Sequence, residues 1–229
     1  MLHYLFFIIY KNNYICKNHW RLFINKARYY QRNLPHYYIP NACYFITFRL
    51  CDSIPCKKIE KYKRNYHRKK SKLKSKNLNK SQKLNIIWKK YFYKVDKILH
   101  QNKQASVYLK NPKVAQQIAS SLKYYDGEDY KLICYCIMPN HVHTIFTLKE
   151  NARKLEKILF SIKRYTAGQA NKILNREGQF WQHESYDHIV RNEESLWKIV
   201  YYILNNPVEA GLVSDWEDWE WNYLKKMDI

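Results

Sequence analysis

The segment YKLICYCIMPNHVHTIFTL, residues 130–148, decides the fold. Tyr130–Ile137 and Val142–Leu148 are apolar runs with aromatic and β-branched residues, which is typical of β-strands. Between them, the Met138-Pro139-Asn140 sequence is typical of a turn. The segment therefore predicts an antiparallel β-hairpin.

Other strand and helix patterns precede and follow this hairpin: a strand and two helices come before it, and a helix, a strand and a helix come after it. Ala42–Leu50 predicts a buried strand and Tyr186–Arg191 a short one. Apolar residues at helical spacing predict four helices: Leu84–Leu99, Lys113–Tyr125, Ala152–Leu174 and a last helix around Leu196–Leu204, which Pro207 is expected to stop. The order predicts an α+β fold of the ferredoxin-like, split βαβ type, with a mainly antiparallel sheet flanked by helices.

The charge of the chain is concentrated in its first part. The 229 residues include 41 Lys and Arg against 19 Asp and Glu, a net charge of +22. Residues 1–100 hold 24 basic and 3 acidic residues, so 24 − 3 = +21 lies there. A basic block with interleaved tyrosines indicates a polyanionic partner, either nucleic acid or an anionic membrane surface, and disfavours extracellular adhesion.

Lys57–Lys80 is the most basic stretch, with 12 Lys and Arg against the single acid Glu60. It is either an arm that binds nucleic acid or a solvated helical or disordered insertion. We expect a basic, largely helical insertion over residues 57–105, inside a single domain over residues 32–229. Residues 1–31 are expected to form an N-terminal extension.

Two further patterns bear on the compartment. The six cysteines include no C-x-x-C pair, so we expect reduced structural thiols in a cytosolic protein. The apolar run Leu2–Tyr10 is too short to span a bilayer, and no signal-peptide cleavage site follows it. It is expected to be an extra strand or a flexible leader.

The sharpest chemical signal is the pair of histidines in Pro139–His143. In a strand, His141 and His143 project from the same face, so their imidazoles would lie side by side as ligands for a divalent metal. Histidines in strands also pack or form hydrogen bonds, so the spacing alone leaves a structural role open.

Tyr202 and Asn206 lie four residues apart on the last predicted helix and therefore share a face beside its buried stripe. A phenol can act as a covalent nucleophile when a metal or a base assists its deprotonation, and an amide oxygen can bind a metal. Because the chain has 22 tyrosines, position alone leaves a packing role for Tyr202 open.

Five separated segments link the chain to a known family. They are Arg32–Leu50 (RNLPHYYIPNACYFITFRL), Tyr135–Thr147 (YCIMPNHVHTIFT), Ser161–Asn171 (SIKRYTAGQAN), Gly178–Arg191 (GQFWQHESYDHIVR) and Tyr202–Val213 (YILNNPVEAGLV). On these segments the sequence resembles the single-tyrosine HUH transposases, specifically the branch of REP-associated tyrosine transposases. The resemblance is interrupted by the basic segment.

The resemblance implies roles for individual residues. The two metal-binding histidines of the family fall on His141 and His143, its nucleophilic tyrosine falls on Tyr202, and its third metal ligand falls on Asn206. Tyr165, on another predicted helix, is the competing candidate for the nucleophile, and Tyr202 is favoured.

Two other histidines, His183 and His188, flank the same region of the sequence. For each of them a structural or DNA-contacting role is preferred over metal binding.

The resemblance also implies an activity. The tyrosine hydroxyl would attack a phosphodiester of single-stranded, hairpin-forming DNA, giving a 5′-phosphotyrosine link and a free 3′-hydroxyl. Mg²⁺ or Mn²⁺ is the expected cofactor, although two imidazoles also suit zinc. The expected protein is a bacterial DNA transposase of the cytoplasm and nucleoid, a monomer or homodimer without a membrane partner.

Basic side chains are expected to contact DNA phosphates independently of sequence. The candidates are Arg28, Arg32, Arg49, Lys57, Lys58, Lys61, Lys63, Arg64, Arg68, Lys69 and Lys70. Tyrosines could stack on unpaired bases, although burial in the core is their commoner role. The candidates for stacking are Tyr29, Tyr30, Tyr37 and Tyr38.

Two other functions stay open at this point. A non-catalytic nucleic-acid-binding protein derived from a transposase would use the basic segment equally well, but it has no physical need for Tyr202 and the two histidines. A relaxase or replication-initiator type HUH nuclease would use the same chemistry for another purpose. The short chain, without a helicase-like P-loop, favours the small transposase.

Overall fold

The computed structural model describes residues 28–31, 35–71, 80–102 and 105–226. The strands are β1 (Arg28–Gln31), β2 (Pro35–Tyr38), β3 (Cys43–Arg49), β4 (Tyr130–Ile137), β5 (His141–Leu148), β6 (Tyr186–Val190) and β7 (Asn222–Leu224). The helices are α1 (Cys56–Ser71), α2 (Lys80–Gln101), α3 (Pro112–Tyr124), α4 (Leu155–Ile173) and α5 (Glu193–Glu209).

Five strands form one antiparallel sheet in the order β6-β3-β5-β4-β7. β4 and β5 are the hairpin expected from the sequence. The chain passes from β3 to β4 through α1, α2 and α3, and β5 lies between these two strands, as in a split βαβ unit. The predicted α+β, ferredoxin-like architecture is therefore confirmed.

Side chains alternate between the two faces of the sheet. On one face, α3 and α4 cover a core that includes Tyr44, Ile46 and Phe48 of β3. On the other face, α5 covers Phe45 and Ile145. Because β5 follows the same alternation, its residues 141 and 143 face α5.

The end of α5 differs from the prediction. Pro207 does not stop the helix but lies inside its last turn, and the helix continues to Glu209. A proline has no backbone N–H group to donate. In the last turn of a helix it therefore costs only a single hydrogen bond. The turn is closed by the hydrogen bonds from Ala210 N to Asn206 O (3.0 Å) and from Leu212 N to Pro207 O (2.9 Å).

The C-terminal tail after Gly211, which carries three of the seven Trp, adds an edge strand to the sheet. β7 pairs with β4, where the Tyr223 and Tyr135 rings stack with centroids 5.1 Å apart. Trp219 Nε1 donates a hydrogen bond of 3.1 Å to Ile137 O. The tail therefore covers the outer edge of β4.

The remaining elements lie before and beside the sheet. β1 and β2 pair as a two-stranded sheet of their own, on either side of the expected boundary at residue 31. α1 and α2 form a helical hairpin within the basic segment, whereas Leu2–Tyr10 lies outside the described residues. Within the described part of the chain, no helix is long and apolar enough to cross a membrane.

Four of the described cysteines carry reduced thiols. They are Cys43, Cys51, Cys134 and Cys136. Burial raises the pKa of Cys134 and of Cys136 well above the ordinary value of a thiol. These two side chains therefore pack under α5 as neutral thiols.

An ion pair between the buried Asp129 and the exposed Arg153 connects the turn before β4 to the start of α4. Asp129 accepts hydrogen bonds from Arg153 N (3.0 Å), Nε (3.0 Å) and Nη2 (2.6 Å). Burial raises the pKa of Asp129, but the hydrogen bonds from Arg153 outweigh this effect and hold the pKa below its usual value.

Replacing Asp129→Asn should lower the free energy of unfolding at pH 7 by about 1–2 kcal/mol. The variant loses the charge on its hydrogen bonds with Arg153, and the exposure of that arginine keeps the cost small. Because the folded-state pKa is depressed, this stabilisation is present above the unfolded pKa and is lost as the pH falls through the folded one. The free energies of unfolding of the wild-type protein and the variant, measured in urea, should therefore converge as the pH falls towards about 3. The exposed acid Glu150→Gln is the control, and a gap of equal size at both pH values would contradict the assignment.

Candidate active site and metal centre

His141 and His143 are fully buried at the start of β5, under α5. Their Nε2 atoms lie 3.0 Å apart and point at the same space. Each Nδ1 atom has its own partner, Asn140 Oδ1 at 2.6 Å from His141 and Thr47 Oγ1 at 2.7 Å from His143. Partners at Nδ1 orient the rings and leave Nε2 for an ion, which is how histidines in metal sites are arranged.

The protonation of His141 follows from Asn140. The Asn140 side-chain amide donates to Leu99 O at 2.9 Å, so its oxygen faces His141, and Nδ1 of the ring carries the proton. Burial, together with the neighbouring His143, lowers the pKa of His141 well below its usual value. The ring is therefore neutral near pH 7, with its Nε2 lone pair directed into the site.

Asp96 on α2 completes a cluster that could hold a metal ion. Its Oδ1 atom lies 3.2 Å from His143 Nε2 and 3.8 Å from His141 Nε2. Among the described residues, this buried oxygen has no hydrogen-bond partner. One carboxylate oxygen and two imidazole nitrogens converging in this way form a ligand set that fits a divalent cation.

The carboxyl of Asp96 is ionised despite its burial. Burial raises its pKa, but the imidazoles of His143, His141 and His100 outweigh this effect and leave the pKa below its usual value. His100 lies one turn further along α2, with Nε2 3.7 Å from Asp96 Oδ2. The site therefore contains one buried negative charge.

Tyr202 and Asn206 reach this cluster from α5. The Tyr202 hydroxyl donates a hydrogen bond to Asp96 Oδ2, and its ring centroid lies 5.7 Å from that of His143. Asn206 is fully buried, with Oδ1 2.9 Å from His100 Nε2. Burial and the charge of Asp96 raise the pKa of Tyr202, so the hydroxyl is protonated near pH 7.

The four site residues expected from the sequence therefore meet at one place. The competing Tyr165 lies on α4, on the opposite face of the sheet, and its hydroxyl donates to Gln117 Oε1 at 3.2 Å. His183 is exposed and His188 lies on β6 opposite Phe45. Neither belongs to the cluster around Asp96.

The sequence did not point to Asp96 and His100. The basic character of the segment over residues 57–105 obscured them, although Asp96 is the one acid of α2 and lies four residues before a histidine. An acid and a histidine at this spacing share a helix face. That pattern was the available signal.

The predicted phosphate-binding residues have different environments. The exposed ones lie on α1 and are Lys57, Lys58, Lys61, Arg64, Arg68 and Lys69. Arg49 is buried, donates to Leu50 O (3.2 Å) and Ser53 Oγ (2.9 Å), and lines a cavity of ≈ 60 Å³ next to Asp96. Lys63 lines the same cavity, with Nζ 3.9 Å from Glu184 Oε2.

Several candidates lie outside the described part of the structure. Arg32 lies outside the described residues, as do the side chains of Arg28 and Lys70. The same holds for the side chains of the four tyrosines expected to stack on bases, which are Tyr29, Tyr30, Tyr37 and Tyr38.

Comparison with known proteins gives the family of the chain. Residues 93–206, about half of the chain, match the model of the IS200-like transposases, and they include every residue of the cluster around Asp96. The chain belongs to this transposase family. Within it, the chain resembles the REP-associated tyrosine transposases, as the sequence segments indicated.

Two curated relatives carry that description. A Haemophilus influenzae protein provisionally named a REP-associated tyrosine transposase is 26% identical over 102 residues, covering 41% of this chain and 58% of that protein. The REP-associated tyrosine transposase of Escherichia coli K12 is 27% identical over 101 residues, covering 43% of this chain and 56% of that protein. The matches thus span less than two thirds of either relative.

A solved structure is also similar. It is a REP-associated tyrosine transposase bound to a REP hairpin, with a TM-score of 0.49 and 18% sequence identity over 84% of this chain and 80% of that one.

Mn²⁺ should bind to the protein and raise its thermal stability, because it would occupy the space between the three ligands in the folded state. At about 100 times the dissociation constant, the free energy of unfolding should rise by about 2.7 kcal/mol. Titration calorimetry and thermal unfolding measure both effects. Replacing His141→Ala and His143→Ala together should abolish them, whereas the exposed His183→Ala should not; equal binding by the double variant would rule out this site.

Proposed function

We propose that the chain is a metal-dependent DNA transposase, a single-strand endonuclease and strand transferase that acts on hairpin-forming single-stranded DNA. The observation that carries the proposal is the contact between the Tyr202 hydroxyl and the carboxylate of Asp96, beside two converging histidines. A half-buried phenol, a buried carboxylate and two imidazoles provide the groups needed for a nucleophilic attack on a phosphodiester.

The reaction is a transesterification at phosphorus. Tyr202 Oη attacks the phosphodiester, and the bond from phosphorus to the 3′-oxygen breaks. The products are a tyrosine linked to the 5′-phosphate and a free 3′-hydroxyl. Asp96 Oδ2 already accepts the hydrogen bond of the Tyr202 hydroxyl, so it is placed to receive that proton, and the departing 3′-oxygen takes its proton from solvent water. Because the phosphotyrosine ester retains the bond energy, a 3′-hydroxyl can reverse the attack and join strands.

A divalent cation, Mg²⁺ or Mn²⁺, would be held by His141, His143 and Asp96. When bound, it would neutralise charge on the phosphate oxygens and favour the ionised phenol. Asn206 is a further candidate ligand beside this set, with its Oδ1 near His100 Nε2. The Nδ1 partners Asn140 and Thr47 would keep both imidazoles oriented towards the cation.

DNA binding is proposed to depend on the basic residues of α1, together with Arg28, Arg32 and Lys70. The relative of known structure that is bound to a REP hairpin motivates a hairpin substrate. Arg49 and Lys63, which line the cavity beside Asp96, would face the backbone near the cleaved phosphate. A monomer or homodimer in the bacterial cytoplasm, associated with the nucleoid, is proposed for the protein.

Incubation with Mn²⁺ and hairpin DNA labelled at its 3′ end should give a covalent protein–DNA adduct, because the tyrosine retains the downstream fragment. Replacing Tyr202→Phe removes the nucleophile and should abolish the adduct, seen as a labelled band on a denaturing gel. The matched variants Tyr201→Phe, on the exposed side of α5, and Tyr165→Phe should retain it.

Two outcomes would overturn parts of this proposal. An adduct formed by Tyr202→Phe but not by Tyr165→Phe would move the nucleophile to α4. Hairpin binding by the wild-type protein without any adduct or nicking would favour the non-catalytic DNA-binding protein.

A further inference from the structure

α1 and α2 enclose a second cavity, of ≈ 280 Å³, whose charged residues all have the same sign. Arg68 and Lys69 of α1 face Lys90 and Lys94 of α2 across it, and none of the described residues that line it is acidic. Four cations around one concave space repel one another, and a polyanion in that space removes the repulsion. We call this cavity the α1–α2 groove.

Tyrosines form the apolar part of the groove. Tyr66 and Tyr91 are buried at its base, with ring centroids 5.6 Å apart, and Tyr62 is half-buried beside them. Aromatic rings next to cations are the combination with which proteins bind unpaired nucleotides, because bases stack on the rings while phosphates contact the charges. The lining therefore matches single-stranded nucleic acid.

The groove adjoins the cavity beside the candidate active site. Tyr91 lines both the α1–α2 groove and the smaller cavity that reaches Asp96. Tyr91 and Asp96 are five residues apart on α2, which corresponds to about 7.5 Å along the helix axis. A strand lying in the groove would thus lead towards the tyrosine nucleophile within one or two nucleotides.

We propose that the α1–α2 groove binds unpaired nucleotides of the DNA strand that is cut, next to the cleaved phosphodiester. This inference rests on the proposed function and adds a binding site to it. Bases would stack on Tyr62, and phosphates would contact Lys90 and Lys94. The tyrosine rings among the cations favour a flexible single strand, whose unpaired bases can stack on them, over an anionic membrane surface.

The test compares two hairpin DNAs, one with a single-stranded flank and one without, by fluorescence anisotropy. All proteins carry Tyr202→Phe so that no cleavage occurs. The groove variant Lys90→Gln/Lys94→Gln should lose about tenfold in affinity for the flanked hairpin. Its plot of log affinity against log salt should flatten by about 1.4, which is two phosphate contacts at about 0.7 each.

The control Lys57→Gln/Lys58→Gln removes the same charge from exposed positions of α1 outside the groove. It should change the affinity for both hairpins alike. The proposal would be overturned if the groove variant lost the same affinity for both hairpins. It would also be overturned if the groove variant and the control preferred the flanked hairpin to the same extent.

A second measurement tests stacking without changing charge. A 2-aminopurine in the flank should lose fluorescence on binding to the Tyr202→Phe protein and should keep it when Tyr62→Leu is added. Circular dichroism and an unchanged affinity for the hairpin without a flank verify that this variant is folded. Unaltered quenching in the Tyr62→Leu variant would remove Tyr62 from the site.

The outcome for the groove is separable from that for the catalytic centre. Adduct formation by the wild-type protein without any groove effect would refute the groove alone. Flank-dependent binding through Lys90 and Lys94 in a protein that forms no adduct would refute the catalytic proposal alone.

Discussion

A carboxylate buried among imidazoles is the interaction on which the arrangement of this protein depends. Asp96 is only 4% exposed, and a buried charge costs several kcal/mol unless neighbouring groups compensate it. The compensation comes from β5 through two histidines, from α2 through His100 and from α5 through Tyr202. The elements β5, α2 and α5, which are distant in sequence, are thereby fixed around the carboxylate of Asp96. The same contacts hold the pair of helices α1 and α2 beside the sheet.

The register of β5 is the second constraint. Thr47 lies opposite His143 in the antiparallel pair, which is why its hydroxyl reaches Nδ1. A slip of one residue would turn both histidines to the face covered by α3 and α4, away from Tyr202. The apolar alternation of the strand, which buries Phe146 on one face and Ile145 on the other, opposes such a slip.

Much of this architecture could be predicted because its strands and helices follow from local sequence patterns. The apolar runs of β4 and β5 located the strand that carries the histidine pair, and the helical spacing around Leu196–Leu204 placed Tyr202 and Asn206 on one face. Pro207 was misjudged because the cost of a proline depends on how near the helix end lies. β7 has three residues, too few for any pattern, and it forms only because the edge of β4 is available.

Asp96 illustrates what a local pattern does not contain. Its partners lie some 45 and 106 residues further along the chain, so only the folded structure shows why a lone acid occurs in a basic helix. The basic side chains present the opposite difficulty. Their number was evident, but their settings depend on helix packing: Lys57 is exposed outside the groove, Arg49 is buried, and Lys90 is exposed along the α1–α2 groove.

The hydrogen bond between Tyr202 and Asp96 also bears on how many copies of the protein one reaction requires. Tyr202, Asp96 and the two histidines meet within one chain, so a centre built from them as proposed would be complete within a single molecule. Two chains disabled at different positions, one at Tyr202 and one at His143, would not restore each other by exchanging their parts. Under the proposed function, cutting one strand would then need one molecule, and pairing of two molecules would bring two strands together.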